Sequence, residues 1–231
     1  MRVTILQPSY IPWIGYFDQI NKSDVFVFFD DVQYTRRDWR NRNRIKTTKG
    51  EEKYLTVPVE AKGNYDALIK DIKIHYDNKC WEKSHLGLIK ENYRSAEFFP
   101  EVFPILERHL LEKYEYLSDL NCELTRELSE YLGIKHVQFV KSSGLGITNY
   151  NDSTEHLVNI CKKFNATSYL TGDSAKSYMN EEMFKKENIE LKYHGYKHPE
   201  YNQLHGKFLP YLSIIDLLFN CGKKSLSILK A

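Results

Sequence analysis

Five arginines fall within nine residues of this chain. Arg36, Arg37, Arg40, Arg42 and Arg44 are interleaved with Trp39, Asn41 and Asn43. Guanidinium groups this close repel one another unless anions or carboxylates neutralise them, and their planar forks suit phosphate or carboxylate. Two outcomes stand open: a clamp for a diphosphate or carboxylate, or a solvated loop neutralised by Asp30, Asp31 and Asp38. A second segment carries different chemistry. Gln7-Pro8-Ser9-Tyr10-Ile11-Pro12-Trp13-Ile14-Gly15-Tyr16-Phe17 concentrates rings, prolines and a glycine. Pro8 and Pro12 fix φ and remove donors, so the turn is stiff, while Gly15 lets a backbone or a ligand come close. Such a turn is a wall on which a polar ring can stack. Gln7, Tyr10, Trp13, Gly15 and Tyr16 are therefore taken as substrate-binding residues, together with Arg40, Asn41, Arg42 and Asn43.

Near the C-terminus, His194 to His205 crowds histidine, glutamate, tyrosine and glutamine into one loop. His198 is the candidate general base, because imidazole titrates near neutrality and a loop can aim it inward. Asp216 lies inside the apolar run Ser213–Asn220, where a buried carboxylate needs partners. It would orient His198, meet an arginine, or serve as a structural cap or ion pair. Tyr201 and Gln203 join the binding set. In Tyr169–Tyr178 a strand ends at Gly172, which would floor the pocket, and Asp173 or Ser174 would cap a helix starting near Ala175. His198, Glu200 and His205 do not have the spacing of a metal site. Cys80, Cys122, Cys161 and Cys221 are scattered, so reduced thiols and no structural zinc are expected. No GxSxG, Walker A or GxGxxG pattern occurs.

The elements that must position these groups follow from the hydrophobic pattern. Val3–Leu6, a short helix over Pro12–Asn21 and the apolar Val25–Phe29 make a βαβ unit, which implies a parallel pair. Arg44–Thr48 and Tyr54–Val59 flank a Lys49-Gly50-Glu51-Glu52 turn, and Ile69–His75 alternates as a further strand of that antiparallel unit. Trp81–Tyr93, Phe98–Lys113 and Glu115–Leu132 read as helices, the last ended by Gly133. A second α/β stretch has strands at His136–Val140, Thr167–Leu170 and Ile189–Tyr193. Helices are expected at Ser153–Phe164, opened by Asp152 or Ser153, at Asn180–Glu187 and at Leu209–Phe219. The expectation is one α/β domain over 1–231, a Rossmann-like three-layer arrangement on a mostly parallel sheet. An antiparallel flap over about 44–76 and a helical insert over 80–132 interrupt it.

Composition narrows the partners. With 231 residues and 42% hydrophobic content a sizeable core is affordable, and the 14% aromatic share suits concave polar-ring surfaces. A net charge of +2 supplies no global basic field, which speaks against nucleic acid as the main partner. The N-terminus shows no apolar leader pattern and no run approaches the roughly 18 apolar residues of a membrane span, so a cytoplasmic protein is expected.

Taken in order, several stretches resemble the WbqC-like protein family of bacteria. They are Gln7-Pro8-x-Tyr10-x-Pro12-Trp13-x-Gly15-Tyr16-Phe17, Asn41-Arg42-Asn43, Leu55–Val59, Tyr169-Leu170-x-Gly172, His198-Pro199-x-Tyr201-x-Gln203 and Leu212–Asn220. The resemblance spans nearly the whole chain. It implies a place in O-antigen or lipopolysaccharide precursor synthesis, often beside enzymes that make amino sugars. The expected function is modification of a nucleotide-linked amino sugar, by amide-forming acyl or aminoacyl transfer to the sugar amine, with ATP or an acyl-CoA as the cosubstrate to test. A homo-oligomer is compatible with this. The opening βαβ also resembles the nucleotidylyltransferase and pantothenate synthetase superfamily, whose His-x-Gly-His turn stabilises phosphate charge. Trp13-Ile14-Gly15-Tyr16 stands at that place without either histidine. The alternatives are a non-catalytic protein that binds a sugar nucleotide or a partner, and an ATP-using ligase with a degenerate site.

Overall fold

The computed structural model describes every residue except 62, 64, 65, 78, 79 and 231. In chain order it contains β1 (Arg2–Leu6), α1 (Ile14–Asn21), β2 (Val25–Phe28), β3 (Arg42–Lys46), β4 (Glu52–Thr56), α2 (Trp81–Tyr93), α3 (Phe99–Leu111) and α4 (Leu117–Leu132). There follow β5 (Gln138–Lys141), α5 (Ser153–Lys163), β6 (Ser168–Thr171), α6 (Glu181–Lys186), β7 (Glu190–Tyr193), α7 (Ile214–Cys221) and α8 (Ser225–Leu229). Five strands form one sheet in the order β5-β2-β1-β6-β7, every pair parallel; β3 and β4 form a separate antiparallel hairpin. Counting only the parallel strands, this is the 3-2-1-4-5 winding of a Rossmann-like sheet.

The sheet is buried on both faces because its strands alternate two apolar sets. Val3 and Ile5 of β1 and Val25 and Val27 of β2 pack with Leu157, Ile160 and Phe184 of α5 and α6. The intervening Phe26 and Phe28 turn the other way, into a larger core with α1, α4 and α7. That core continues under the hairpin through Ile45, Leu55 and Val57 and into α2, α3 and α4. Leu117, Leu120, Leu124 and Leu128 give α4 its buried stripe, and Gly133, at φ +88°, ends it in the left-handed conformation that favours glycine. Asp152 caps α5 by accepting from the Glu155 N–H at 2.9 Å.

Three expected elements differ. Ile69–His75 is a 3₁₀ turn over Ile69–Asp71 followed by single bridges, Lys73 to Tyr116 and Ile74 to Val59; backbone pairing is divided between two partners, so no continuous strand forms. The hairpin opens two residues earlier than Arg44. The Gly50 N–H bonds the Thr47 carbonyl at 2.9 Å, and this turn draws Arg42 and Asn43 into β3. The last long helix starts at Ile214, not Leu209. Pro210 and a left-handed Tyr211, at φ +59°, precede the capping Ser213. No helix among the described residues is long and apolar enough to cross a membrane.

A polar knot anchors α7 to the hairpin. Asp216, fully buried, accepts hydrogen bonds from the hydroxyls of Tyr93 at 2.8 Å and Tyr201 at 2.9 Å. Buried Lys46 bonds Gln203 Oε1 at 3.1 Å and the Lys207 carbonyl at 2.7 Å. Burial pushes the Asp216 carboxyl up, against those tyrosines and the Lys46 charge. Removing one member of such a set leaves buried polar groups without partners. Asp216→Ala is therefore expected to cost about 3–5 kcal/mol in urea unfolding. A loss under about 1 kcal/mol would show that the knot contributes little.

Candidate functional site

A cavity of about 920 Å³ opens at the carboxyl ends of β1 and β6. These neighbouring strands are where the winding reverses, the usual ligand crevice of an open parallel sheet. Its lining includes Gln7, Ser9, Trp13, Tyr16 and Gln19 from the β1–α1 region. Gly172 and Asp173 come from the end of β6, His194 and Tyr196 follow β7, and Trp39, Arg40, Asn43 and Arg44 come from the hairpin side.

The aromatic turn that forms one wall is held by long-range bonds. Asn43 Nδ2 donates to the carbonyls of Tyr10 at 3.2 Å and Ile11 at 2.9 Å, and Ser213 Oγ donates to the Ile11 carbonyl at 2.7 Å. Ile11 sits at φ +36°, a costly conformation for a β-branched residue, and these donors fix it. Tyr10 is a pin and not a wall. Its ring is fully buried, its N–H bonds the Trp39 carbonyl at 3.1 Å, and its hydroxyl meets His85 Nδ1 at 2.9 Å. Burial pulls His85 down to about 4, so a neutral ring receives the Tyr10 proton. Asn41 likewise serves the frame, donating to the Val57 carbonyl at 2.8 Å.

Gly15 allows close approach, but what approaches is Trp13. A Cβ at position 15 would stand 2.2 Å from the indole. The indole meets Tyr196 edge-on at 5.4 Å and lies nearly parallel to His198 at 6.3 Å.

The arginine cluster divides. Only Arg40 and Arg44 border the cavity. Arg40 bonds Ser9 Oγ at 2.9 Å and Asp38 at 3.2 Å; Arg44 reaches both Glu52 oxygens at 2.8 Å and the Tyr211 carbonyl at 3.0 Å. Arg42 donates to the Arg37 carbonyl and lies over Tyr54, away from the cavity. Carboxylates thus neutralise the two cavity arginines, through Asp38 and Glu52. Asp30 and Asp31 instead accept from Ser142, and Asp30 also from Ser143.

The expected pairing of His198 with Asp216 is not made. His198 Nδ1 donates to the Pro199 carbonyl at 2.8 Å and Nε2 accepts from the Tyr211 N–H at 3.0 Å, so the backbone occupies both nitrogens. Burial also lowers its basicity, against the Pro199 carbonyl. Asp216, Tyr201 and Gln203 belong to the knot under α7 and do not line the cavity. Asp173 does line it, but as a tie, accepting from the Gly195 N–H at 2.8 Å and from Lys176 at 2.8 Å. Gly172 occupies the N-cap position of a 3₁₀ turn over Asp173–Ser177, which no side chain caps.

What the structure does bring together is a pair that sequence reasoning passed over. His194 Nε2 and Asp18 Oδ2 lie 2.6 Å apart, with side chains 3% and 0% exposed. Lys22 Nζ shares that carboxylate oxygen at 2.6 Å. Burial pushes the Asp18 carboxyl up, but the bonds from His194 and Lys22 prevail and hold it below its ordinary value. An ionised Asp18 fixes the proton on Nε2 and leaves Nδ1 of His194 as an acceptor, the arrangement in which a carboxylate orients an imidazole base. The ring stacks on Tyr196 at 5.1 Å. The available signal was positional: His194 directly follows β7, and its N–H continues the ladder to the Thr171 carbonyl at 2.9 Å.

Fold and site together define a Rossmann-like α/β protein with an oriented imidazole in an aromatic crevice. The chain belongs to the WbqC-like protein family, whose model matches residues 7–228. It is 41% identical over 228 residues to a protein of Mycobacterium tuberculosis (strain ATCC 25618 / H37Rv) whose name reads "Uncharacterized protein Rv1507c". That match covers 97% of this chain and 95% of the relative. No solved structure matches the chain. Among the described residues no group of three or more His, Cys, Asp and Glu side chains is arranged to hold a metal, and all four cysteines are free.

Two outcomes follow from this geometry. Gly15→Ala must displace the Trp13 indole, so it should cost about 1–3 kcal/mol and shift tryptophan emission; an unchanged spectrum and melting point would refute the contact. Because the Asp18 carboxyl is depressed in the fold, its share of stability is present above its unfolded value near 4 and lost as pH falls through the folded value. Asp18→Asn should therefore flatten the acid limb of stability measured between about pH 5 and 2.

Proposed function

We propose that this protein is an enzyme of surface-polysaccharide precursor synthesis, transferring an acyl or aminoacyl group to the amine of a nucleotide-linked amino sugar. The Asp18–His194 pair, whose histidine borders the cavity with the carboxylate buried behind it, is the observation that supports it most. A sugar amine is largely protonated near neutral pH, and it attacks an acyl carbon only after losing that proton. His194 Nδ1 takes the proton and Asp18 stabilises the imidazolium that results. With an acyl-CoA donor, the amine nitrogen bonds to the acyl carbon and the thiolate leaves; of the two protons the ammonium gives up on becoming an amide, one passes through His194 to the sulfur and the other is released to solvent. Trp13, Tyr16 and Tyr196 supply stacking surface for the ligand. Family membership supports the polysaccharide setting.

The cavity volume suits a ligand of drug size or somewhat larger. The paired arginines make this a partly neutralised crevice, which favours a ligand held by stacking and neutral hydrogen bonds over one held chiefly by phosphate charge.

The purified protein, mixed with nucleotide-linked amino sugars and acetyl-CoA, should release free thiol. His194→Gln should lower kcat by about 10²–10⁴ with KM little changed, whereas His198→Ala should act mainly on KM and stability. Full turnover in His194→Gln would end the role given to that base. Binding of the sugar nucleotide without turnover would favour a non-catalytic accessory protein. Release of AMP or pyrophosphate from ATP would favour a ligase.

A further inference from the structure

Exposed rings gather at the cavity. Trp39 is 41% exposed, Tyr178 61% and Tyr211 52%, and all three line it; the exposed Tyr54 stacks on Trp39 at 6.4 Å. Solvent-facing rings clustered in a concavity mark a surface that a ligand covers. Two of these rings are held firmly. Tyr211 sits at φ +59°, a costly backbone for an aromatic residue, and both of its peptide groups are tied. Its N–H donates to His198 Nε2 at 3.0 Å, and its carbonyl accepts from Arg44 Nη2 at 3.0 Å. The same guanidinium lies over the Trp39 ring at 5.4 Å, so Arg44 links the two residues. The Trp39 backbone is fixed as well, through Asp38 at 2.7 Å and the Tyr10 N–H at 3.1 Å. Strain kept in order to present an exposed ring points to a use for that ring. Depth then orders the cavity: the His194 side chain, 3% exposed, lies within, and Trp39 and Tyr211 lie at the mouth.

We propose that Trp39 and Tyr211 form a stacking subsite for the nucleobase of the substrate, which enters with its sugar toward His194. This rests on the reading of the cavity as the site of a nucleotide-linked sugar. When the sugar amine reacts at His194, the base is the far end of the molecule and falls at the mouth. A planar base covers ring faces that are otherwise wet, and because both rings are already positioned, little order is lost on binding. The backbone ties of Tyr211 also give His198 its part: it holds the rim in place and does not take a proton from the substrate.

Titration calorimetry with UDP-glucosamine, UDP and glucosamine 1-phosphate tests the subsite. UDP, which carries no sugar, should bind the parent. Trp39→Ala and Tyr211→Ala should each weaken UDP and UDP-glucosamine by about 5–100-fold and leave glucosamine 1-phosphate as in the parent. Trp39→Tyr and Tyr211→Phe, which keep a ring and the fold, should stay within about threefold of the parent. UDP should also quench tryptophan emission, and Trp39→Tyr should remove most of that quench. UDP-glucosamine binding that neither alanine variant weakens, or an equal loss for glucosamine 1-phosphate, would overturn the subsite and leave the cavity reading intact. So would a quench unchanged in Trp39→Tyr. A parent that binds none of the three probes would overturn the cavity reading and the subsite with it.

Discussion

The Ile11 carbonyl is where this structure is tied together. It receives Asn43 Nδ2 from β3 and Ser213 Oγ from the start of α7, while the Ile214 N–H bonds the neighbouring Pro12 carbonyl at 2.8 Å. The β1–α1 turn, the hairpin and the C-terminal helix, which lie far apart in sequence, thus meet at two consecutive peptide units. Ile11 pays for this with a left-handed backbone, and only donors from both sides could hold a β-branched residue there. Everything that shapes the crevice is downstream of that clamp: the placement of Trp13, the approach of Gly15 to its indole, and the course of α1 that carries Asp18 and Gln19.

Charge is handled in two distinct ways around this frame. Where groups are structural, each has its complement: Asp216 with two tyrosine hydroxyls near Lys46, Arg44 with Glu52, Arg40 with Asp38. Beside the crevice the balance is deliberately incomplete. Asp18 has two donors on one oxygen and none on the other, and Gln19 has none at all. Orphaned buried atoms also occur away from the crevice, at Trp81 Nε1, Asn121 Oδ1 and Thr125 Oγ1, so it is the shared Asp18 oxygen, with its imidazole and ammonium partners, that sets the crevice apart.

Much of the architecture was legible because it rests on periodicity. The apolar runs of β1 and β2 and the leucine stripe of α4 state their own burial, and Gly133 and Asp152 state where their helices end and begin. The crevice was legible in part. The rigid turn, Gly172 and the cavity arginine Arg40 could be found because unusual residue types stood at strand ends. His198 and Asp216 drew attention for sound reasons, a histidine in a polar loop and a carboxylate in an apolar helix. Neither reading could see that the Tyr211 backbone and the Tyr93 hydroxyl would occupy them. Asp18 and His194 are separated by 176 residues, and only the crossing from β1 to β6 brings α1 beside the end of β7. A pair made by topology leaves no spacing to read.

The same winding explains why a sheet of this order can carry a turn without a glycine fingerprint. In a dinucleotide-binding sheet the first turn is open, so that backbone N–H groups reach a pyrophosphate. Here Pro8 and Pro12 contribute no N–H, the Tyr10 N–H is taken by Trp39, and the Tyr16 N–H by the Trp13 carbonyl at 3.1 Å. Four positions of the turn thus offer no backbone N–H to an anion, and the Trp13 indole lies against Gly15 in the first turn of α1. Recognition at this crevice consequently shifts from backbone to side chains, from charge to ring faces and neutral amides. That shift favours a ligand whose discriminating features are a ring and a few hydrogen-bonding substituents.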